Sequence, residues 1–537
     1  MKIFERSNIS FILIVLTFSI YAGAFIYRTS FIIDGERYFS LFDDAMISMR
    51  YAKNFANGYG LIWNPGGERV EGYTNPLWVL YMSLFHLLPI PQQKISLFIQ
   101  ISGALLLMIN LILVMKIAHL ISNGSNAVSL GSVLLTAFYL PINNWSLQGM
   151  EVSLLTLIMS ISLWQALQCI KKNKFCLWVY ILLGISTFVR PDMIVPFLGI
   201  GLFLAIADPK NRSKNVTFGS LILLFCVLTQ TIFRMWYYGD ILPNTYYLKM
   251  TGYPLLLRIS RGLYVFLKFA WKMNLILFLL PFGIFFFRRD KLIYLLFWVF
   301  LVQIIYSIYV GGDAWEWWGG SNRYLCIVMP SFFILFSYSL SHLSQLISQL
   351  VNRETSLSEK ARKYILKYAF PLLLIFSLIN FNSIYGPKAL AEFLLIQPPL
   401  HTQDNKTMVE IALLLRRITS PQAKIAVVWA GAIPYFSDRY AIDLLGKNDK
   451  QIARERMRMS SGLRKFIAFY PGHLKYNYGY SIGQLKPDVV VQLWSSPEEA
   501  KPYLDSNYRK VKLQGKFTLY LRNESANVLW NEIKGLE

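Results

Sequence analysis

The chain has 537 residues, of which 55% are hydrophobic and only 15% are charged, and its formal net charge is +23. Soluble domains carry about 25% charged residues, so this deficit and several long apolar runs exclude an ordinary soluble protein and predict a polytopic α-helical membrane protein. The positive charge would suggest nucleic-acid binding in a soluble chain, but Lys and Arg collect in short loops between apolar runs, so we expect no nucleic-acid partner.

An apolar run near the amino terminus, residues 9–27, follows two basic residues. The small residues at 22–24 resemble a signal-peptidase site, so this run could be a cleaved signal peptide, but its length favours an uncleaved membrane anchor. In both cases we expect the following segment, residues 28–76, to end outside the cytoplasm. This segment is called the first loop below.

The next apolar stretch, residues 77–90, is too short to span a bilayer comfortably, and we predict a re-entrant or interfacial helix there. Ten later runs are predicted to span, which with the first run makes about eleven transmembrane helices. They are 95–121, 127–142, 150–170, 176–190, 193–207, 216–236, 265–287, 291–310, 324–346 and 365–384. The pair 176–190 and 193–207 could instead be one broken helix.

This assignment places the basic loops on one side of the membrane, which is the pattern of cytoplasmic loops. The amino terminus is therefore predicted inside, in a cytoplasmic (inner) membrane, and the carboxy terminus outside. Residues 1–384 are expected to form the membrane module. Residues 385–537, called the C-terminal segment below, carry frequent polar residues and no further spanning run, which predicts a soluble, extracytoplasmic (periplasmic) α/β domain.

The C-terminal segment contains short β-branched runs that are typical of buried strands. We predict strands at 424–429, 487–493 and 516–521, and a helical stretch at 449–466. The turn at Gly431 lacks the glycine spacing of a dinucleotide-binding loop, so no nucleotide site is inferred. The turn residue His473 is interpreted as structural.

Two adjacent carboxylates, Asp43 and Asp44, stand in the first loop, which continues as a long polar stretch rich in glycine and aromatic residues. Long loops without regular structure are usually functional. A carboxylate can take the proton of a hydroxyl group that attacks another molecule, so we predict that this pair is catalytic. The alternative is that the pair is a helix N-cap followed by a first-turn acid.

Other polar residues fall on the same predicted side of the membrane, as an extracytoplasmic site requires. Arg and Lys can stabilise a leaving phosphate, whereas aromatic rings and carboxylates suit sugar rings. The residues predicted to bind a donor phosphate or sugar are Arg50, Arg190, Lys249, Arg323, Glu151, Asp240, Asn244 and Tyr247. Those predicted to bind the acceptor or its sugar are Glu68, Glu71, Tyr73, Asn75, Asp313 and Trp315. The alternatives are solvated loop charges, a helix cap at Glu151, a snorkelling arginine at Arg190 and, for Trp315, an aromatic belt at the membrane interface, which is the favoured interpretation of that residue.

Several of these motifs together resemble a known family, the C-type (GT-C) glycosyltransferases related to the mycobacterial terminal arabinofuranosyltransferase. The first loop carries FDDAMISMRY at 42–51, NGYGL at 57–61 and ERVEGYTN at 68–75. Later stretches that resemble this family are GME at 149–151, YGD at 238–240, PNTYYLK at 243–249, Gly312-Asp313 with Arg323, AGAIPY at 430–435, IDLLG at 442–446 and PGHLKY at 471–476.

The resemblance implies a C-type fold, a polyprenyl-phosphate sugar donor and transfer outside the cytoplasm to a glycan or glycoprotein. It implies a catalytic aspartate in the first loop, which here is Asp43 or Asp44, with Asp43 preferred. Arabinofuranose is the default sugar. Other C-type families sometimes use a divalent cation, so a metal is possible. The chain is rich in Phe, Ile, Asn and Lys rather than Ala and Arg, which suggests a different host and acceptor.

Two other classes of function are consistent with a membrane protein of this kind. One is a scaffold or assembly factor, since bacterial relatives with a proposed flagellar-motor role share the pattern. The other is a transporter, but transporters place ionisable residues within their spans and use inverted repeats. The spans of this chain are almost free of charge, which argues against transport.

Overall fold

Helices dominate the computed structural model, which describes residues 2–313, 316, 322–353, 358–459 and 469–536. The helices before the C-terminal segment are α1 (Lys2–Thr29), α2 (Asp43–Ala56), α3 (Pro76–His86), α4 (Gln92–Ile121), α5 (Asn126–Ala137), α6 (Leu140–Leu147), α7 (Val152–Lys172), α8 (Leu177–Val189), α9 (Ile194–Ala207), α10 (Arg212–Tyr238), α11 (Asn244–Met250), α12 (Leu255–Lys272), α13 (Leu275–Leu279), α14 (Ile284–Phe287), α15 (Lys291–Val310), α16 (Arg323–Cys326), α17 (Met329–Arg353) and α18 (Glu359–Asn382). A short hairpin of β1 (Phe31–Ile33) and β2 (Glu36–Tyr38) follows α1.

Five helices in the described part of the chain are long and apolar enough to cross a bilayer, namely those within α1, α4, α7, α10 and α15. The number rises to eight if each of three bent helix pairs is one span. The chain is therefore a multi-pass membrane protein. The predicted count of about eleven spans is not confirmed, because α8 and α9 are short and several other runs are bent.

The predicted span at 265–287 is not one straight helix. Its amino-terminal half belongs to α12, and the chain then turns by 104° before α13 and α14. The turn occurs at Asn274, which adopts a left-handed backbone conformation with φ 63°. The pair 176–190 and 193–207 is likewise interrupted, because Arg190 is extended and Pro191 opens a turn of 3₁₀ helix before α9.

The eleven-residue helix α3, Pro76–His86, occupies most of the predicted segment 77–90. A helix rises 1.5 Å per residue, so eleven residues cover about 16 Å, roughly half of the hydrocarbon core. The helix packs closely on α2 and so closes the first loop against the membrane module. Its length fits the predicted re-entrant or interfacial helix.

The C-terminal segment contains a five-stranded mixed sheet in the order β4-β3-β5-β7-β6. Its elements are α19 (Pro387–Phe393), α20 (Thr402–Ile418), β3 (Lys424–Val427), α21 (Ala432–Ser437), β4 (Tyr440–Asp443), α22 (Lys450–Arg454), β5 (Val489–Val490), α23 (Lys501–Asn507), β6 (Tyr508–Leu513), β7 (Phe517–Arg522) and α24 (Trp530–Ile533). Strands β4, β3 and β5 are parallel, whereas β7 and β6 are antiparallel. All three predicted strands are present, and β4 and β6 are additional.

The predicted helix at 449–466 is mostly wrong. Asp449 caps α22 through its carboxylate, which accepts a bond from the Ile452 amide at 2.9 Å. The helix ends at Arg454, and the chain at 455–459 is irregular. The rest of the predicted helix, 460–466, lies outside the described residues.

The first loop packs directly on the C-terminal sheet. Strand β4 is an edge strand, and the backbone groups of Ala441 bond the side chain of Asn64, whose oxygen accepts at 3.0 Å and whose nitrogen donates at 2.8 Å. Edge strands need such cover, because their unpaired backbone groups otherwise invite further pairing. The carboxyl ends of β3 and β4 consequently face α2, where the two predicted catalytic acids lie.

Candidate active site

Asp43 and Asp44 occupy the first turn of α2, but neither caps it. The N-cap residue is Phe42, which makes no side-chain capping bond, so the interpretation of the pair as an N-cap is not supported. Carboxylates in the first turn interact favourably with the helix dipole. The two side chains point to different partners, which gives them different environments.

Asp43 is buried and faces the turn that follows β3. Its Oδ1 accepts bonds of 3.1 Å from the backbone amides of Gly431 and of Ala432. Burial raises the pKa of the Asp43 carboxyl to about 7, and the negative charge of Asp44 adds to this rise. The two backbone hydrogen bonds act in the opposite direction and lower the pKa. Asp43 therefore ties α2 to the C-terminal segment and is partly protonated near neutral pH.

Asp44 lies among positive charges. Its Oδ1 is 2.7 Å from Nζ of Lys447, and its Oδ2 is 3.1 Å from a guanidinium nitrogen of Arg323. Burial alone would raise the pKa of this carboxyl, but Lys447, Arg323 and Lys249 outweigh burial and hold the pKa of Asp44 well below its usual range. Asp44 is therefore a carboxylate at neutral pH.

A cavity of about 330 Å³, called the central cavity below, opens beside Asp44. It brings together the first loop, α11, α15, α16 and the turn after β4. Its polar lining residues are Asp44, Ser48, Tyr73, Thr74, Asn75, Arg190, Asp192, Thr245, Tyr246, Lys249, Tyr306, Arg323, Tyr324 and Lys447. Four of these side chains are cationic, and burial lowers the pKa of the Lys249 amine to about 8. The cavity is suited to a ligand with a phosphate group.

Arg190 is held in the wall of this cavity by two acids. It bonds Asp192 at 2.6 Å and Glu151 at 3.2 Å. The buried Glu151 also accepts a bond of 2.9 Å from Asn75, whose oxygen accepts one from Ser48 at 2.8 Å. This chain of bonds fixes the orientation of Arg190. Glu151 acts through Arg190 rather than as a capping residue, since it makes no side-chain cap bond.

Arg323 is oriented in a similar way by Asp313. Two of its guanidinium nitrogens bond the two oxygens of Asp313 at 2.7 and 3.1 Å, which is the bidentate geometry of strong arginine–carboxylate pairs. Its remaining terminal nitrogen is directed at Asp44. Asp313, predicted to bind the acceptor, therefore positions a cation of the central cavity instead.

Lys447 follows a tight turn at the carboxyl end of β4. Asp443 forms this turn by accepting bonds from the amides of Leu445 and Gly446, and Gly446 adopts φ +77°, which glycine tolerates best. The side-chain Nδ2 of Asn244 donates to the carbonyls of Gly446 and Lys447 at 2.9 and 3.0 Å. Asn244 thus positions Lys447 and does not line the central cavity.

A smaller cavity of about 40 Å³, called the side cavity, adjoins the same charged residues. Three side chains line both cavities, namely Asp44, Lys249 and Lys447. The rest of the side cavity is built mainly by the C-terminal segment and includes Asp43, Trp429, Asp443 and His473. Asp44 therefore lies where two cavities meet.

Several predicted site residues lie elsewhere. Arg50 donates to the carbonyls of Trp63, Pro434 and Arg439 and to Asn64, so four of its five N–H groups join the first loop to the C-terminal segment, and it does not line the central cavity. Asp240 pairs with Arg454, whose guanidinium covers the ring of Tyr247. Those three predictions of donor contact, for Arg50, Asp240 and Tyr247, are not supported by the positions of the side chains.

Two predicted acceptor residues are paired away from the central cavity. Glu68 is exposed and pairs with Lys450 at 3.0 Å. Glu71 is buried and pairs with Arg234 of α10 at 2.8 Å. Burial raises the pKa of the Glu71 carboxyl to about 7 despite this partner. Tyr73 and Asn75 do line the central cavity, whereas Trp315 lies outside the described residues.

A third cavity has a volume of about 550 Å³ and is called the apolar cavity below. The end of the first loop contributes to the walls of both this cavity and the central cavity. Residues Tyr73–Asn75 line the central cavity, and Glu71, Pro76 and Leu77 line the apolar one. Its remaining lining comes from Leu61 and from helices α3, α8 and α10. A long hydrocarbon chain is the kind of ligand that such a lining accommodates.

The donor set near Asp44 does not fit a divalent cation. Within the described ranges, no three His, Cys, Asp or Glu side chains converge on a point where they could hold a metal. The two oxygens of Asp44 already face Lys447 and Arg323, and Oδ1 of Asp43 accepts two amide bonds. Cations, not further oxygen ligands, surround these acids, so we derive no step through a metal.

Sequence reasoning missed Lys447, which contributes a cation to the central cavity. It stands directly after IDLLG at 442–446, a stretch that already resembled the family, so its position was available as a signal. Tyr306 and Tyr324 were also missed. Aromatic residues near span ends are common in membrane proteins, so nothing in the sequence marked these two.

Comparison with known proteins finds one matching domain model and one similar curated enzyme. The model of a domain of unknown function (DUF8728) matches residues 398–529. A stretch of 218 residues is 27% identical to the terminal β-(1→2)-arabinofuranosyltransferase of Mycobacterium tuberculosis. This match covers 38% of the chain and only 34% of the mycobacterial enzyme, so it covers about a third of the relative's length.

Solved structures resemble the chain over nearly its whole length. ArnT from Cupriavidus metallidurans bound to undecaprenyl phosphate superposes with a TM-score of 0.54 at 10% identity, over 95% of this chain and 98% of ArnT. The apo oligosaccharyltransferase of Archaeoglobus fulgidus gives a TM-score of 0.55 at 10% identity, over 97% of this chain and 75% of that one. The predicted resemblance to C-type glycosyltransferases is confirmed, and the chain has their fold.

Proposed function

We propose that the chain is a glycosyltransferase that moves a sugar from a polyprenyl-phosphate donor to a hydroxyl group of a cell-surface glycan or glycoprotein. The observation that carries this proposal is the position of Asp44, a carboxylate at the junction of two cavities and among the cations Lys447, Arg323 and Lys249. A base and a set of phosphate ligands are the two components that such a transfer needs.

In the proposed reaction the donor phosphate lies in the central cavity against Arg323, Lys447, Lys249 and Arg190. The oxygen of the acceptor hydroxyl forms a bond to the anomeric carbon, and its proton passes to the Asp44 carboxylate. The bond between the anomeric carbon and the phosphate oxygen breaks, and its electron pair stays on the phosphate. The cations stabilise the charge that develops there, which lowers the barrier.

Binding of the donor would also adjust Asp44 for its task. A carboxylate held by several cations is a weak base, because its pKa is low. An anionic phosphate that binds Arg323 and Lys447 offsets their positive charge and raises the pKa of Asp44. The proposed base therefore becomes stronger when the donor is in place.

The lipid part of the donor is supported by the apolar cavity next to the central one. Its volume of about 550 Å³ and its lining of leucine, isoleucine and phenylalanine side chains suit a polyprenyl chain. The superposition with an ArnT structure that binds undecaprenyl phosphate supports the same donor class. Arabinofuranose is the sugar that we propose first, on the partial likeness to the mycobacterial enzyme.

The proposed site of the reaction is the outer face of the cytoplasmic membrane. The positive-inside arrangement of the basic loops in the sequence supports this orientation. With the amino terminus inside, the first loop and the C-terminal segment lie on the outer side together, as the bonds between them require.

The test uses purified protein in detergent, radiolabelled polyprenyl-phosphoryl arabinofuranose and short arabinofuranosyl and hexosyl oligosaccharides as acceptors. We expect the wild type to transfer label and D44N to lose activity by roughly a hundredfold or more, the range of general-base catalysis. Binding of the lipid to the wild type without transfer would place the error in the sugar or acceptor. If the lipid does not bind, the proposal is wrong and the scaffold alternative is favoured.

A further inference from the structure

The side cavity is built mainly by the C-terminal segment, and Asp43, Ile47 and Leu248 of the membrane module complete its lining. It meets the central cavity at Asp44, Lys249 and Lys447. The central cavity adds Arg190 and Arg323 to these cations, whereas the side cavity adds acids, an imidazole and an indole ring. A ligand with a phosphate is therefore matched to one side of Asp44, and a neutral, hydroxyl-rich ligand to the other.

Aromatic rings form one wall beside the side cavity. The ring centroids of Trp429 and Trp494 are 6.4 Å apart with their planes almost perpendicular, and the His473 ring is 5.6 Å from that of Trp494. Each of these three side chains is half-buried. We call them the aromatic wall. Flat rings that are partly exposed beside hydrogen-bonding groups are suited to ligands with an apolar face and a polar rim.

The aromatic wall is held rigidly by bonds to the backbone. The indole nitrogen of Trp494 donates to the His473 carbonyl at 2.9 Å, and the Trp494 amide donates to the Tyr478 hydroxyl at 2.9 Å. The side-chain oxygen of Gln492 accepts a bond from the Trp429 amide at 3.1 Å. Rings that are already fixed lose little entropy when a ligand binds, which favours recognition.

The groups next to the aromatic wall suit hydroxyl partners rather than ions. Burial lowers the pKa of the His473 imidazole to about 4, so the ring is neutral at physiological pH and can donate or accept a hydrogen bond. The Asp43 side chain lines the side cavity together with His473. Sugars present alternating hydroxyl groups and a flat face of C–H bonds, which matches this set of residues.

We propose that the aromatic wall of Trp429, Trp494 and His473 binds the end of the acceptor glycan and directs its hydroxyl through the side cavity to Asp44. This inference rests on the proposed function for the role of Asp44. It assigns carbohydrate recognition to the C-terminal segment, so donor and acceptor approach Asp44 from opposite sides and from different parts of the chain.

The experiment measures acceptor binding and transfer in the full-length protein. Trp429 is replaced by Ala and by Phe, and Trp530 by Ala as the matched control, since Trp530 is a half-buried tryptophan of the same segment that lines none of the three cavities. An aromatic contact is worth about 1 kcal/mol, so we expect W429A to raise the acceptor KM about five- to tenfold. The donor KM should stay unchanged, and W429F should recover most of the loss.

Binding without turnover is followed by saturation-transfer NMR with the same arabinofuranosyl and hexosyl oligosaccharides. An oligosaccharide signal that is present in the wild type and in W530A but weakened in W429A supports the aromatic wall even if no transfer is detected. An unchanged acceptor KM in W429A with active enzyme overturns the inference and leaves the proposed function intact. Absence of signal from every oligosaccharide with the wild type overturns it as well.

Discussion

The Nζ atom of Lys447 lies 2.7 Å from the Oδ1 atom of Asp44, although the two residues are 403 positions apart. The pair joins the first loop to the turn after β4 and completes a cluster in which three cations surround one carboxylate. Neither the membrane module nor the C-terminal segment contains the whole cluster. The candidate site therefore forms only when the two parts of the chain pack together.

Replacement of Lys447 by Gln tests whether the cluster binds a phosphate. A charged hydrogen bond contributes about 1.5–3 kcal/mol, so we expect K447Q to weaken binding of undecaprenyl phosphate by roughly ten- to a hundredfold. Binding is measured by isothermal titration calorimetry in detergent. The matched control is K450Q, three residues later on the same stretch, because Lys450 pairs with the exposed Glu68 and does not line the central cavity.

Equal affinities of K447Q, K450Q and the wild type would contradict the assignment of Lys447 as a phosphate ligand. Salt provides a second readout. Because the interaction is between charges, raising the ionic strength should weaken lipid binding to the wild type more than to K447Q. A loss of thermal stability in K447Q alone would instead point to a structural role.

The two adjacent acids should respond differently to the same substitution. In D44N the base is lost, and we expect transfer to fall by roughly a hundredfold or more. In D43N the new amide oxygen can still accept the bonds from Gly431 and Ala432, so we expect a loss below about tenfold. Initial rates with the radiolabelled donor measure both variants. The reverse order of losses would identify Asp43 as the base, which is the residue that the family resemblance favours.

The raised pKa of Asp43 predicts a specific dependence of stability on pH. The carboxyl ionises near 3.8 in the unfolded chain but near 7 in the folded protein. The folded state therefore keeps a proton that the unfolded state has lost, and this contribution to stability is full below about pH 4 and disappears as the pH rises through 7. Its upper limit is about 4 kcal/mol.

Thermal unfolding of the wild type and D43N between pH 5 and 8 measures this effect, because the side-chain amide of the variant does not titrate. We expect the Tm of the wild type to fall relative to that of D43N as the pH rises. Other carboxyls whose pKa burial raises to about 7, such as Glu71 and Glu316, are common to both proteins, so their contributions cancel. Parallel curves over this range would show that Asp43 is ionised in the folded state.

Sequence analysis identified site residues that stand in a recognisable motif of their own. Asp44 and Arg323 were marked by their charge beside apolar runs, which is costly unless the residue has a partner or a function. Their partners came from elsewhere: Lys447 stands in a turn of the C-terminal segment, and the pairing of Arg50 with backbone carbonyls depends on how that segment docks. Contacts between distant stretches have no periodicity for sequence reasoning to detect.

The fold was predicted best where apolar runs were long and uninterrupted, as in α4 and α10. It was predicted poorly where a run contained a bend. Residues 265–287 are apolar throughout much of their length, yet Asn274 turns the chain through 104°. A hydrophobicity pattern records which residues avoid water and carries no information about direction, so a bent pair of helices and a single span give the same pattern.

Gly431 lies against the first turn of α2, where there is no room for a side chain. A Cβ atom there would lie 2.2 Å from the Asp43 carbonyl oxygen and 2.6 Å from its Oδ1. The φ of Gly431 is −98°, so the backbone itself would accept alanine. We expect G431A to displace α2, to lower stability by about 1–3 kcal/mol as overpacking does and to reduce transfer.

The control is G283A, because a Cβ at Gly283 would meet no atom within 4 Å and φ there is −57°. Thermal unfolding and transfer rates are measured together, and a G431A protein as stable and active as G283A would show that the close packing of α2 on this turn is not needed.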